Sequence, residues 1–324
     1  MAARGGRRDS ARAGIYQIGL PRTGEQQMES KMESKTPSII DLTAEVAKLT
    51  MFRGLTPTTT RAERRDSATL LGPYRDGILF AGKNAGTSHW EDHAEDELVH
   101  VLDGTKILDI VCDDGAPKSF VLRAGMMVVV PQGAWHRFRS AEGGTTWSVT
   151  LPGDHIEIDV DDPRTVEPKK VITGATPSII DLDAELEKLT MFRGRTPQST
   201  MADRKGSGGR LASYRDGGLF ITKFAGKGHW ESHLAGDELI HILDGTATFR
   251  DRVRRWAAQV FHASRRHDRC QPTGCLAPIS IVGRGDLDDR DPVPQRGHRA
   301  RCRRPADSRG QAGMRTACLT LCVE

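Results

Sequence analysis

Apolar residues follow a helical period in only two short stretches. In "SIIDLTAEVAKLTMF", which starts at Ser38, Ile39, Ile40, Leu42, Val46 and Leu49 recur at about 3.6-residue spacing, and "SIIDLDAELEKLTMF" from Ser178 repeats the pattern. Elsewhere the apolar positions form brief runs closed by Gly, Asp or Pro: "GILFAG", "ELVHVLDG", "KILDIVCDDG", "SFVL", "MMVVVPQG" and "WSVTLPG". Short runs with polar turns predict many short antiparallel strands. The expected class is all-β, a sandwich or barrel with a short helix opening each unit.

The pattern is written twice. "TPSIIDL" at Thr36 recurs at Thr176, and "KLTMFRG", "YRDG" and "HWE" recur at the same offset of 140. One residue is then inserted, and "DELVHVLDGT" from Asp96 matches "DELIHILDGT" from Asp237 at an offset of 141. A period of this length means a duplicated domain, not a solenoid repeat. The expected organisation is an extension at 1–35, unordered or an overextended start ahead of Met28 or Met32. A first domain at 36–165 and an incomplete second at 166–248 follow it.

After Phe249 the pattern stops. Residues 249–324 hold sixteen arginines, no lysine and eight acids, with no hydrophobic period. The segment reads as an unordered basic tail, because it lacks the apolar surface needed to offset chain entropy. The net charge of +4 is therefore misleading: the two ends carry +3 and +8, which leaves residues 36–248 at about −7. Positive charge confined to unpatterned ends argues against nucleic-acid binding. Five of the six cysteines (Cys270, Cys275, Cys302, Cys318, Cys322) lie in this tail at no zinc-site spacing, and Cys112 reads as a buried thiol. No apolar run reaches the roughly 18 residues of a membrane span, and the N-terminus lacks an apolar signal core. A cytoplasmic protein is expected.

The tail has a specific origin in this reading. "TGCLAPI" from Thr273 can be encoded so that dropping one base reads Gln-Gly-Ala-Trp-His-Arg-Phe, the segment "QGAWHRF" found at Gln132 and offset by 141. In the same phase, "RDRVRRWAAQVFHAS" from Arg250 yields a copy of the stretch "DIVCDDGAPKSFVL" at Asp109. "RARCRRPA" and its neighbours yield a copy of "IEIDVDDPR" from Ile156. Three long matches in one phase point to a frameshift just after Phe249.

Candidate chemistry sits in the first unit. In "HWEDHAEDELVHVLDG", His89, Glu91 and His93 share strand parity and face one side, Glu97 follows a short turn, and Gly104 closes the next hairpin. Farther on, "GMMVVVPQGAWHRF" runs from Gly125 through Pro131 and Gly133 to His136. Imidazoles and carboxylates converging inside a small barrel suit a divalent transition metal. His100 has the opposite parity to Glu97 and reads, like His89, as structural.

These two stretches resemble the paired signature motifs of the cupin superfamily. His93, Glu97 and Gly104 fit the first motif, and Gly125, Pro131, Gly133 and His136 fit the second, over about residues 70–152. The resemblance implies a duplicated double-stranded β-helix of jelly-roll type with a metal held by Glu91, His93, Glu97 and His136. Two departures stand out. Glu91, and Glu231 in the second unit, occupy the usual first-histidine position, and Ser140 replaces the closing asparagine. A site of two histidines and two glutamates, with its added negative charge and hard oxygen ligands, favours Mn²⁺ or Fe²⁺, with Ni²⁺ and Zn²⁺ behind them. The second unit keeps only Glu231, His233 and Glu238, an incomplete second site. The function implied is metal-dependent action on, or sensing of, a small organic molecule, in a chain that can form a homodimer. If the protein is an enzyme, the expected types are dioxygenase, decarboxylase or isomerase. The alternative is a metal-free binding or regulatory module, since fold alone does not fix function.

Overall fold

Both stretches with a helical period are split by an aspartate. In the first, Ser38–Ile40 forms strand β1, and helix α1 runs only over Leu42–Ala47. The Asp41 carboxylate accepts from the Ala44 N–H at 3.0 Å, and Asp181 caps Ala184 in the same way at 3.0 Å. A capping aspartate holds a non-helical backbone, so Ile39 and Ile40 are strand residues and not the helical ones their spacing suggests. The computed structural model describes residues 38–111, 116–151, 155–157, 160–165, 176–230, 236–254, 257–264, 279–282 and 316–323. The extension at 1–35, Cys112, Glu231, His233 and residues 273–278 of the "TGCLAPI" segment lie outside the described residues.

In the first unit the strands after α1 are β2 (Phe52–Leu55), β3 (Ala68–Tyr74), β4 (Gly77–Thr87), β5 (Trp90–Asp92) and β6 (Glu97–Ile110). They continue as β7 (Lys118–Arg123), β8 (Met126–Val130), β9 (His136–Thr150) and β10 (His155–Glu157). The second unit opens with β11 (Ser178–Asp181), helix α2 (Leu182–Glu187), β12 (Phe192–Arg195), β13 (Gly208–Tyr214) and β14 (Gly217–Gly226). It ends with β15 (Glu238–Arg254), β16 (Ala257–Ser264), β17 (Ile279–Val282) and β18 (Thr316–Val323).

The chain is all-β apart from its short helices, and the sheets take a jelly-roll arrangement. The first sheet runs β10-β5-β9-β6-β8-β11, with β4 beside β9, β2 and β3 on β4, and β7 on β6. The break expected at Asp103–Gly104 is a bend instead. Strand β6 continues through it with register slips on both sides, and Gly104 sits at φ +75°. A Cβ there would fall 2.3 Å from the Gly143 carbonyl oxygen, so only glycine fits the close approach.

The units exchange their opening strands. β1 pairs with β17 of the second sheet, and β11 pairs with β8 of the first, so each "SII" segment covers an edge of the other unit. The largest apolar cluster lies between the units, joining Leu79, Leu98, Trp147 and Val149 to Tyr214, Leu219, Ile221 and Leu239. Polar contacts repeat the sequence offset. The Arg75 N–H donates to Asp237 at 3.1 Å and the Arg215 N–H to Asp96 at 2.8 Å. The Arg75 guanidinium meets Asp216, and that of Arg215 meets Asp76.

The segment expected to be an unordered tail is partly strand. β18 pairs with both β14 and β15, as β9 pairs with β4 and β6, and Ala317 and Leu319 are buried there. The gap between two strands leaves backbone N–H and C=O groups needing partners. "TACLTLCV" alternates well enough to fill it.

His100 and His241, related by the offset of 141, meet in this interface with ring centroids 5.4 Å apart, each also against Trp147. Burial first, and then the neighbouring His241, push the His100 pKa well below its ordinary value. The folded state therefore keeps His100 neutral, while the unfolded chain takes up a proton below about pH 6.5. This contribution is fully present above that pH and is lost as the pH falls toward the depressed folded value. Urea midpoints should drop from pH 8 to pH 5.5. A His100→Phe variant, which removes the titrating ring, should show a smaller drop.

Candidate functional site

The cluster forms where the loop after β5 meets the turn before β9. Glu91 lies directly across from His136 in the β5–β9 pair. His93 has left the strand, and its carbonyl accepts from the Gly133 N–H at 2.8 Å. The Gln132 N–H donates to Asp96 at 2.9 Å, and the Gln132 side-chain amide donates to the Ala94 carbonyl. The two signature segments are thus fastened together through backbone groups, which fixes where their side chains project.

Glu91, His93 and His136 offer ligand atoms that all lie within 4.8 Å of one another. Glu97 joins them: its Oε2 is 3.1 Å from His136 Nε2 and 3.6 Å from His93 Nε2. His136 Nε2 lies 4.0 Å from Glu91 Oε1. Donors about 2.1 Å from a shared ion and at right angles to each other stand about 3 Å apart, so these spacings fit a single divalent cation. His93, Glu97 and His136 are buried, while the Glu91 side chain keeps 19% of its exposure and marks the open side.

Hydrogen bonds orient both rings. His136 Nδ1 lies 2.9 Å from the Ala134 carbonyl oxygen, which can only accept, so Nδ1 carries a proton and Nε2 is the atom turned to the carboxylates, as a lone pair for a cation or as the second N–H of an imidazolium. A lone pair aimed at anionic oxygens is repelled unless a cation or a proton lies between them. His93 Nδ1 lies 3.2 Å from Thr150 Oγ1, a hydroxyl that steadies the ring in the same manner. Burial by itself would raise both carboxyl pKa values. For Glu91 the His89 contact, followed by His93 and His136, outweighs burial and holds the group well below the carboxylate range. For Glu97, His93 and His136 outweigh burial and lower the pKa. Both carboxylates are therefore ionised at neutral pH.

Residues 79–149 match the model of the cupin domain family. The first unit is a cupin domain. No curated protein matches the chain. Among solved structures it is similar to hydroquinone 1,2-dioxygenase PnpCD, in complex with Cd²⁺ and 4-hydroxybenzonitrile, at 22% identity and a TM-score of 0.24. That match covers 26% of this chain and 63% of the dioxygenase chain. A cupin-2 domain-containing protein from Shewanella frigidimarina is 26% identical over 26% of this chain and 79% of its own, with a TM-score of 0.23. A cupin 2 conserved barrel domain protein from Leptotrichia buccalis is 10% identical, covers 79% of this chain and 88% of its own, and has a TM-score of 0.38.

Within the cupin domain, Glu91, His93, Glu97 and His136 come together. His89 lies beside them with Nε2 3.4 Å from Glu91, and His100 lies on the opposite face in the interface between units. Ser140 has its own task in place of asparagine: its hydroxyl donates to the Thr105 carbonyl at 2.6 Å and accepts from the Gly143 N–H at 3.0 Å, which pins the bend in β9. Of the second-unit candidates, only Glu238 is described, buried at the start of β15.

Two contributors had no signal in the sequence: Thr150 and Arg64. Arg64 precedes a short 3-10 turn and is half-buried, with its Nε sealed from solvent and unbonded among the described residues. Burial lowers its pKa, and the nearby charge of Glu91 opposes that shift.

Proposed function

We propose that the first unit binds one divalent transition metal, Mn²⁺ or Fe²⁺, through Glu91, His93, Glu97 and His136, and presents it to a small organic molecule. The carrying observation is the position of His136 Nε2, turned by the Ala134 hydrogen bond to 3.1 Å from Glu97 Oε2. Two carboxylates and two imidazoles form a hard, mixed donor set of the kind those ions take. Bound there, the metal would act as a Lewis acid toward an oxygen atom of the ligand. The chain's own residues do the positioning: Thr150 and the Ala134 carbonyl set the ring orientations, and Glu91 leaves the cluster open toward solvent. Elemental analysis of purified protein should find about one Mn or Fe per chain, removable by chelation and restored by either ion. Protein that stays metal-free after incubation with both ions would support the competing reading, a metal-free binding module whose carboxylates are neutralised by imidazolium protons.

The second unit supports a separate proposal: its chain is read out of frame after Phe249. The repeat persists up to that point at an offset of 141, and the residues beyond it can be encoded so that a one-base shift restores the repeat at three places. On this reading 36–165 is the working domain, and 166–248 covers the apolar face of the first unit without a complete site of its own.

A further inference from the structure

Lys106 lies inside the first barrel as a cation that the metal cluster does not use. Its residue exposure is 3%, and its Nζ donates to the Asn84 carbonyl oxygen at 2.9 Å and to Asn84 Oδ1 at 2.7 Å. Among the described residues no carboxylate pairs with it. Burial holds its pKa down at about 8, with no charged neighbour contributing. An ammonium sealed from water without a counter-charge is costly, and a methionine would fill the same volume without that cost.

Two strand registers place Lys106 on the same interior face as the cluster. In the β6–β9 pair, Ile110 opposes His136 and Leu108 opposes Phe138, so these side chains share a face. The β6–β7 register is unbroken from Ile110 to Thr105, which puts Lys106 on that face two alternations farther along. Four residues of strand separate it from Ile110, or about 13 Å. The β4–β9 register agrees. Ile78 opposes Thr150, Phe80 opposes Ser148, Gly82 opposes Thr146 and Asn84 opposes Gly144. Thr150 is the hydroxyl on His93, and Asn84 is the partner of Lys106. Leu79 and Ala81 alternate with these residues and turn outward to the inter-unit core.

Along β4 the wall between the two ends is only partly covered. Ile78, Phe80 and Asn84 keep partial exposure although they face inward. Gly82 adds no side chain, and a Cβ built on it would have no neighbour closer than 3.8 Å.

We propose that Lys106 is the anion-holding end of a pocket whose other end is the Glu91, His93, Glu97 and His136 cluster, so that the molecule taken up is a small organic acid with its carboxylate on the ammonium. This rests on reading the cluster as the site, and it narrows the ligand class from small organic molecules in general to acids.

The probe pair is benzoate and benzamide, which match in shape and differ in charge, titrated calorimetrically into the full chain at pH 7. Benzoate should bind about tenfold or more tighter than benzamide, the discrimination expected for a charge-assisted hydrogen bond in a buried site. Lys106→Met should reduce the preference to within about twofold without changing metal content, and Lys106→Arg should retain it. Equal binding of the two probes by the unaltered protein, or no binding of benzoate, overturns the proposal without recourse to a variant. A preference that survives in Lys106→Met also overturns it, and is the result expected if Arg64 held the anion. A Lys106-dependent preference in protein that binds no metal would uphold the anion site and remove the metal reading alone.

Discussion

Replacing His136 by alanine is expected to strip the protein of bound metal, from about one equivalent per chain to less than about a tenth, because an inner ligand is lost from a four-donor set. His136 is the most constrained member of the cluster. Its side chain is fully buried, its Nδ1 is held by the Ala134 carbonyl, and its Nε2 faces Glu97 and Glu91. Thr150→Val should act more weakly, by about 10–100-fold in metal affinity, since it removes a group that orients His93 and leaves the donors in place. His100→Ala should leave metal content unchanged, because that ring faces the second unit. Elemental analysis of the three variants after identical purification reads all of this. Full metal content in His136→Ala would remove the ligand assignment, and metal loss in His100→Ala would mean that the interface and the site are not independent.

How far the sequence carries toward this site differs from residue to residue, for physical reasons. Strand parity predicts Glu91 and His93 on one side, although His93 lies just beyond the end of β5, and short-range spacing relates Glu97 to them. Placing His136 beside them needs the pairing of β5 with β9, 45 residues apart, which no local period reports. The resemblance between motifs supplied that pairing. Thr150 and Lys106 had no such help. A threonine in "WSVTLPG" and a lysine in "GTKILD" read as ordinary strand residues, and their meaning comes only from the registers that set them beside His93 and Asn84. Periodicity also misjudged the first helix, because Ile39 and Ile40 fit a 3.6-residue spacing and a strand equally well until the Asp41 cap decides between them. The exchange of β1 and β11 between units was out of reach as well. The apolar "SII" segments show that a face is buried, but not against which unit.

If the chain is read out of frame after Phe249, as proposed, restoring the frame is expected to raise bound metal from about one to about two equivalents per chain. The second unit keeps Glu231, His233, Glu238 and Gly245 at the positions that Glu91, His93, Glu97 and Gly104 hold in the first. Among the described residues, no strand delivers an imidazole between β14 and β15. In the first unit that strand is β9, which begins at His136 and runs between β4 and β6. In the second unit the place is taken by β18, whose sequence "TACLTLCV" contains no histidine. The repaired segment would carry Gln-Gly-Ala-Trp-His-Arg-Phe at an offset of 141 from Gln132, with a tryptophan and the imidazole in the places where the first unit has Trp135 and His136. Trp135 is fully buried there, so the repair should also bury apolar surface and raise the thermal midpoint of the second unit. The nucleotide sequence is the first check, since removing one base must generate all three repeat matches in a single phase. Metal analysis of the repaired chain is the second, with Glu231→Ala in that chain expected to return the count to about one. A repaired chain that still binds one metal would mean that the second unit holds no site even with its strand restored. Its role would then be the cover it forms over Leu79, Leu98, Trp147 and Val149 of the first unit.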